Sequence, residues 1–241
     1  MASTTAVRGS TPWFKKGTLR SITRKMLAAA ATLTVAGGLS TVGTLSATAA
    51  TPQCGPHCIQ IFSAKFGTKA HPNFVESVFQ GIATAGQPTI VAPPSSSDPA
   101  GDLIVSRAGT VSDFFAAGLV SAAVNQHYGS EMAVQIEFAP SGKATGLCSA
   151  LATTAFQNEG LTLQPCGIPG TTVWIIDTAD SPATASFPIV NGSTTDFTHP
   201  FAMIIHGNVA RKRFPQIKVQ RLRGNPDNVR ISQLWGANVL N

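Results

Sequence analysis

The sequence predicts an all-β protein whose strands follow one pattern used three times. Two short β-rich runs, LTLQPC (161–166) and TTVWIID (171–177), are separated by the turn residues GIPG. Apolar and polar residues that alternate over such short runs, bounded by Gly and Pro, are typical of half-buried strands. Charged residues make up 12% of the chain, which also has 22 Gly and 16 Pro. This composition favours a loop-rich β-protein over a helical one.

The same order of strand-like runs recurs along the chain. The runs begin at Ile59, Gly86 and Gly101, then at Val134, Gly160 and Thr172, and then at Phe201, Ile217 and Ser232. Trp174 and Trp235 fall at matching places, where the first unit has Leu103 or Ile104. Short β patterns also match by chance, and the preserved order and the matching tryptophans favour a true repeat.

Three units that cannot bury their apolar faces alone would close around a shared axis as a β-trefoil, which removes most free strand edges. We therefore predict a β-trefoil-like domain over residues 50–241, with degenerate units at about 59–107, 133–178 and 187–240. Between the first two units, residues 110–129 predict a loop or a short helical turn that leads into a strand starting at Leu119.

Residues 1–49 predict a secretory signal peptide. Six of the 17 basic residues lie in the first 25 positions, and an apolar stretch from Met26 ends in Ala47-Thr48-Ala49. A basic segment, an apolar segment and an A-x-A site mark a cleaved leader. A membrane anchor is the alternative, but three glycines and five threonines weaken the apolar stretch and no basic stop-transfer cluster follows it. We expect cleavage after Ala49 or Ala50 and an extracellular protein.

The exported part of the chain is close to neutral. Removal of the leader leaves eleven basic residues against the 11 acids of the whole chain. Global charge therefore gives no argument for a nucleic-acid partner. We expect a monomer that does not insert stably into a membrane after cleavage.

All four cysteines lie in the exported part, where an oxidising compartment favours disulfides. Four cysteines allow three pairings, and the sequence spacing makes Cys54–Cys58 and Cys148–Cys166 the natural pairs. A zinc site built on Cys54, Cys58 and His57 or His71 is the alternative, but a second ligand pair at a recognisable spacing is lacking. We predict no metal and no cofactor.

Residues 133–177 resemble a ricin-type β-trefoil lectin subdomain. The matching features are Ser141-Gly142-Lys143, Cys148, Gly160, Pro165-Cys166 and Trp174, and residues 233–235 give a full Q-x-W in the third unit. The resemblance implies a carbohydrate site formed by an Asp after the first cysteine, an aromatic residue on the second strand and an Asn or Gln near the Q-x-W. This sequence has Ser149 or Ala150, Gln164 and Thr171-Thr172 at those places of the second unit. The candidate ligand-binding residues are Gln164, Trp174, Gln233 and Trp235, although packing around the pseudo-threefold axis is the more natural role for the tryptophans.

From CGPHC to QLWG the chain also resembles a group of secreted actinobacterial proteins without an assigned activity. The stretches that carry this resemblance are TVWIIDTADSPAT and FPIVNGSTTDF. It implies secretion and no particular reaction.

The segment from residue 211 to residue 230 is locally basic, with seven basic residues and one acid, Asp227. A solvated strand edge protected by charge is one interpretation. Contact with acidic glycans, other anionic wall polymers or anionic lipid is the other, and such contact would depend on salt.

No catalytic motif stands out. The chain lacks G-x-S-x-G, and the five histidines are scattered without a partner four residues away. A distant triad such as His127 or His199 with Asp196 stays open, as do paired carboxylates at Asp177 and Asp180, which are more simply turn residues. We predict a secreted protein that binds carbohydrate or a cell-wall polymer. The alternatives are a hydrolase, a structural protein and a protease inhibitor that presents residues 93–97 or 178–184.

Overall fold

The computed structural model describes residues 54–55, 57–181, 185–206, 214–223 and 229–240. The predicted signal peptide lies outside these residues. The strands and helices of the described residues are β1 Cys58–Ser63, β2 Val75–Val78, β3 Thr89–Ala92, β4 Leu103–Thr110, α1 Val111–Ala116, α2 Ala122–Tyr128, β5 Met132–Phe138, β6 Leu147–Ala150, β7 Thr162–Pro165, β8 Trp174–Ile176, β9 Ile189–Asn191, β10 Phe201–Ile204, β11 Lys218–Arg221 and β12 Trp235–Leu240.

Six of these strands form a closed barrel. β1 pairs with β4, β4 with β5, β5 with β8, and β8 with β9. A bridge between Phe187, two residues before β9, and Trp235 leads to β12, which pairs with β1 along its whole length. The other six strands form the hairpins β2–β3, β6–β7 and β10–β11. Three successive sets of four strands with the same pairing make a β-trefoil, so the predicted fold class is confirmed.

The three hairpins meet at the pseudo-threefold axis through the backbone. The N–H of Thr89 donates to the carbonyl of Leu161 at 3.0 Å, Leu161 donates to Ile217 at 2.8 Å, and Ile217 donates back to Thr89 at 2.9 Å. All three residues are buried. Each of these residues thus donates its backbone N–H to one neighbouring hairpin and accepts at its carbonyl from the other. Buried backbone polar groups require such hydrogen-bond partners.

Equivalent positions around the axis share one core. Ile61, Ile136 and Ile189 correspond to one another through the pairing of each first strand with its neighbours, and all three are buried. Leu103, Trp174 and Trp235 likewise share one register position, since each pairs with the equivalent residue of the first strand of its set or of the segment that leads into that strand. The predicted match between the two tryptophans is therefore confirmed, and Leu103 is its partner in the first set.

One part of the proposed repeat was wrong. The run at Phe201 is β10, the second strand of the third set, and the first strand is β9, Ile189–Asn191. Each set has four strands and not three. β9 has only three residues between Pro188 and Gly192, too few to show a period-two pattern.

The predicted strand from Leu119 was also wrong, because two short helices occupy this insertion. Thr110 and Asp113 form a capping box at the start of α1, and Ser121 caps α2 by accepting a hydrogen bond from the Val124 N–H at 3.2 Å. Gly118 lies between the helices with φ of 72°, a conformation that suits glycine. Both helices cover a second apolar cluster that includes Phe114, Val124 and Tyr128.

The disulfides are Cys54–Cys58 and Cys148–Cys166, as the spacing predicted. Within the described part of the chain, no helix is both long enough and apolar enough to cross a membrane.

Candidate functional site

An open cleft of about 1050 Å³ lies beside Gln233 in the third set of strands. Every described side chain that lines it is polar: Gln157, His199, His206, Gln220, Arg221, Arg223, Arg230 and Gln233. β11 and the residues after it supply one wall, and the short 3-10 turn Ile231–Gln233 supplies another. The cleft therefore presents amide, guanidinium and imidazole groups, and all of these can donate hydrogen bonds.

Gln233 holds the floor of the cleft. Only 1% of its surface is exposed, and its Nε2 lies 3.4 Å from the carbonyl oxygen of Gln220 and 3.3 Å from that of Arg221. The amide thus ties the 3-10 turn to the end of β11. It positions the chain from which the neighbouring arginines project.

Arg221 is held in place by an acid and a ring. Its Nη1 donates to Oδ2 of Asp196, and its guanidinium lies 5.0 Å from the ring centroid of Phe201. Asp196 also accepts the backbone N–H groups of Thr198 and His199, each at 3.1 Å. The bond from the His199 N–H and the proximity of Arg221 lower the pKa of Asp196. Arg221 therefore keeps a fixed orientation at the edge of the cleft and brings little net charge.

Arg223 and Arg230 differ from Arg221 because no acid among the described residues forms an ion pair with either of them. Both side chains are exposed. The pKa of His206 is lowered by burial, and further by the positive charges of Lys218, Lys65 and Arg230. Among the described residues, the cleft thus carries positive charge on Arg223 and Arg230 that no acid compensates.

The first set of strands has a cleft at the equivalent place, with a volume of about 410 Å³. Strand pairing makes Ala92 the counterpart of Gln220, because each pairs with the equivalent residue of the preceding strand. The turn Pro99–Gly101 precedes Leu103 as Ile231–Gln233 precedes Trp235, which makes Asp98 the counterpart of Arg230. The two clefts therefore share a backbone plan and differ in charge.

Only Gln233 of the four predicted ligand-binding residues lines the third-set cleft. Gln164 lies on β7 at the position equivalent to Gln220, and its Nε2 donates to Thr162 Oγ1 at 2.9 Å. Trp174 and Trp235 are fully buried, and their indole N–H groups donate to the carbonyls of Ser149 at 2.7 Å and Met203 at 3.1 Å. Their rings pack in the core and present no face to solvent, so a ligand contact by either stays a prediction that would require the core to open.

Sequence reasoning did not connect the histidines and Arg230 to Gln233. The basic segment was recognised, but period-two geometry along Gln216–Arg223 gave no single basic face. The spacing from Arg230 to Gln233 equals the spacing from Asp98 to Gly101. This match, which would have indicated Arg230, appears only when the third set is aligned with the first by its closing strand.

The candidate catalytic residues do not assemble into a triad in the described residues. His199 contacts Asp196 through its backbone N–H, and the ring of His127 stacks on Phe197 with centroids 4.9 Å apart. Asp177 accepts the backbone N–H of Asp180 at 3.1 Å, as a turn residue does. No group of three or more potential metal ligands occurs in the part of the chain that the structure describes.

Comparison with known proteins finds structural similarity without a sequence match. No known protein family matches the sequence, and no curated protein matches it either. A mosquitocidal holotoxin is similar in structure with a TM-score of 0.49 and 13% identity over 78% of this chain and 18% of the toxin. ThreeFoil, a designed threefold-symmetric protein, has a TM-score of 0.48 and 8% identity over 75% of this chain and 97% of its own. The strand pairing defines this protein as a β-trefoil with a basic, polar cleft in its third set.

Proposed function

We propose that this is a secreted binding protein that takes carbohydrate or a cell-wall polymer in the cleft beside Gln233. The observation that carries the proposal is the composition of the cleft, in which amides, guanidinium groups and imidazoles surround an open volume of about 1050 Å³. A hydroxylated chain offers such donors many acceptors, whereas an apolar ligand would leave them unpaired. An open cleft also allows a polymer to pass through without a free end.

Secretion is supported by the leader-like sequence of residues 1–49 and by the two disulfides. We propose one domain over residues 50–241, with the unit limits given above, acting as a monomer without a nucleic-acid partner or cofactor.

The test uses the mature chain on insoluble polysaccharides and purified cell walls, together with a glycan array. Gln220→Ala should weaken retention about tenfold because it removes a hydrogen-bonding amide from the cleft. Gln164→Ala is the matched control, since Gln164 holds the equivalent position on β7. Equal losses in both variants would contradict the assignment to the third-set cleft, and no retention of the unmodified protein would contradict the function.

Protease inhibition is a second candidate, which the loop of residues 93–97 supports. This loop is exposed, and Ser95 Oγ holds its shape by accepting the N–H groups of Ser97 at 3.3 Å and Asp98 at 3.2 Å. A rigid, exposed loop is what a substrate-like inhibitor needs. Stoichiometric slowing of a secreted protease, without retention on any polysaccharide, would favour this function over polymer binding.

A further inference from the structure

We propose that the third-set cleft recognises oxyanion substituents, such as phosphate, sulfate or carboxylate, on a hydroxylated polymer, and that Arg223 and Arg230 make the anionic contacts. The inference deepens the proposed function and rests on it. It specifies the chemical class of polymer and the residues that select it.

Two guanidinium groups in the cleft carry charge that no contact within the described fold uses. Arg221 is engaged with Asp196 and Phe201, whereas Arg223 and Arg230 have no acidic partner among the described residues. Both face solvent beside the amides of Gln157 and Gln220, which line the same cleft. Guanidinium groups next to hydrogen-bonding amides suit an oxyanion on a polyhydroxylated backbone, because the former bind the charge and the latter bind hydroxyls.

The two equivalent clefts differ at the residue that precedes the 3-10 turn. Asp98 caps its 3-10 turn, with Oδ1 accepting the N–H of Ala100 at 3.0 Å. Arg230 holds the same place before Ile231–Gln233, and no side-chain hydrogen bond caps that turn. Arginine lacks the acceptor that a cap requires. The local structure therefore gives no reason for an arginine there, whereas an anionic ligand does.

The positive charges around the third-set cleft act together. The positive charges of Lys218, Lys65 and Arg230 all lower the pKa of His206. The negative charge of Asp196 is neutralised by Arg221. The equivalent first-set cleft is lined instead by Asp98 and Asp102. One molecule thus carries two clefts of the same plan and opposite charge, and a polyanion should bind only the third.

The test compares polymers that share a backbone. Neutral dextran, carboxymethyl dextran and dextran sulfate differ mainly in their substituents, and poly(glycerol phosphate) adds a phosphodiester chain. Inorganic phosphate and duplex DNA distinguish a free anion and a general polyanion from the proposed ligand. We expect the charged polymers to bind at least tenfold more tightly than neutral dextran, with affinity falling as salt rises from about 0.05 to about 0.5 M.

Variants distinguish binding at the third-set cleft from a general effect of the net charge of the protein. Arg230→Asp installs the residue of the first-set cleft at an exposed position, and Arg223→Ala removes the second guanidinium. Each should weaken binding of the charged polymers about 10- to 100-fold, the loss of one charge-assisted contact. Lys143→Asp is the matched control for Arg230→Asp, because Lys143 is exposed and outside the cleft and the change in charge is the same. Lys143→Ala is the control for Arg223→Ala. Unchanged denaturant midpoints confirm that the variants fold.

Several results would overturn the inference. Salt-insensitive binding of neutral dextran that Arg230→Asp leaves unchanged would refute it while the proposed function survives. Equal losses in Arg230→Asp and Lys143→Asp would reduce the effect to net charge. DNA binding as tight as that of the charged polysaccharides would remove the selectivity for a hydroxylated chain, and tight binding of inorganic phosphate alone would remove the polymer. Failure of every polymer to bind would overturn both the inference and the proposed function.

Discussion

Glu76 is the most unusual single residue of the core. It pairs with Val91 on the first hairpin, as Ser149 pairs with Leu163 and Met203 with Val219 on the other two. The side chain is fully buried, and neither carboxyl oxygen has a hydrogen-bond partner among the described residues. Burial raises the pKa of Glu76 to about 7, and the nearby Ser149 hydroxyl offsets this only in part. The carboxyl is therefore protonated in mildly acidic solution and ionises in the core near neutrality.

Replacement of Glu76 by Gln should remove part of the pH dependence of stability. The folded pKa is raised to about 7 above the ordinary value of 4.5, so the folded state binds the proton more tightly than the unfolded state. Ionisation of Glu76 should consequently lower the free energy of unfolding by about 3 kcal/mol as the pH rises from below 4.5 through 7. In Glu76→Gln the fall between pH 4.5 and 8, measured by urea titration, should be smaller than in the natural protein by this amount.

The control for Glu76 is Asp177, because burial also raises the pKa of Asp177, to about 6. Its contribution has the same sign and is lost at lower pH. Asp177→Asn should therefore leave the fall in stability above pH 6 in place. If Glu76→Gln shows the same fall as the natural protein, the carboxyl is not the buried acid that this structure places beneath the first hairpin.

Trp235 and Trp174 should be needed for stability and not for ligand contact. Trp235→Phe leaves a cavity and removes the indole N–H that the Met203 carbonyl accepts, and Trp174→Phe does the same at the Ser149 carbonyl. Each variant should therefore lose about 2–4 kcal/mol of the free energy of unfolding, as a denaturant titration would measure. The fraction that stays folded should bind polymer like the natural protein. A fully stable Trp235→Phe variant that has lost polymer binding would instead place the indole in the site.

At this scale the sequence singled out Gln233 as a candidate ligand-binding residue through the local Q-x-W spacing, and the preserved order of the runs predicted the two tryptophans as counterparts. It could not predict that the Gln233 amide bonds the carbonyls of Gln220 and Arg221, since that contact joins two segments of the third set. Nor could the sequence reveal that Glu76 is buried, because a charged residue in a short strand is typical of an exposed sheet edge.

At the scale of elements, the hairpins differ in how they are held. β6–β7 carries the disulfide Cys148–Cys166, and the equivalent hairpins β2–β3 and β10–β11 have none. The spacing of the cysteines was enough to predict the pairing, because the closing of a short loop is a local property. The three residues of β9 were missed for the opposite reason, since tertiary pairing with β8 and β10 defines that strand.

Removal of the hairpin disulfide should cost more than removal of the terminal one. The chain between Cys148 and Cys166 spans 18 residues, against four for Cys54 and Cys58, so its closure restrains the unfolded chain more. The double variant Cys148→Ala/Cys166→Ala should lose about 3 kcal/mol, and Cys54→Ala/Cys58→Ala clearly less. Denaturant midpoints of both double variants measure the difference, and the reverse order would show that native contacts of the bridges outweigh loop closure.

At the scale of the whole molecule, the barrel exists only because its first and last strands meet. All six residues of β1 pair with residues of β12, from Cys58 with Leu240 to Ser63 with Trp235. These contacts span almost the entire described chain. Repetition in the sequence predicted a threefold arrangement, but only the register of this last pairing distinguishes a closed trefoil from three hairpins on an open sheet.

Deletion of residues 235–241 should therefore unfold the protein as a unit. The truncation removes all the β12 partners of β1 and the ring of Trp235. It leaves one edge of β1 and the segment around Phe187 without a strand to pair with. Circular dichroism and amide exchange should show loss of structure in all three sets, because a barrel without one strand cannot bury the shared core. Deletion of Val239–Asn241 is the control, since Val239 is largely exposed and four of the six β1 pairs remain. A longer truncation that kept protected amides in β5–β8 would show that the second set is stable without closure of the barrel.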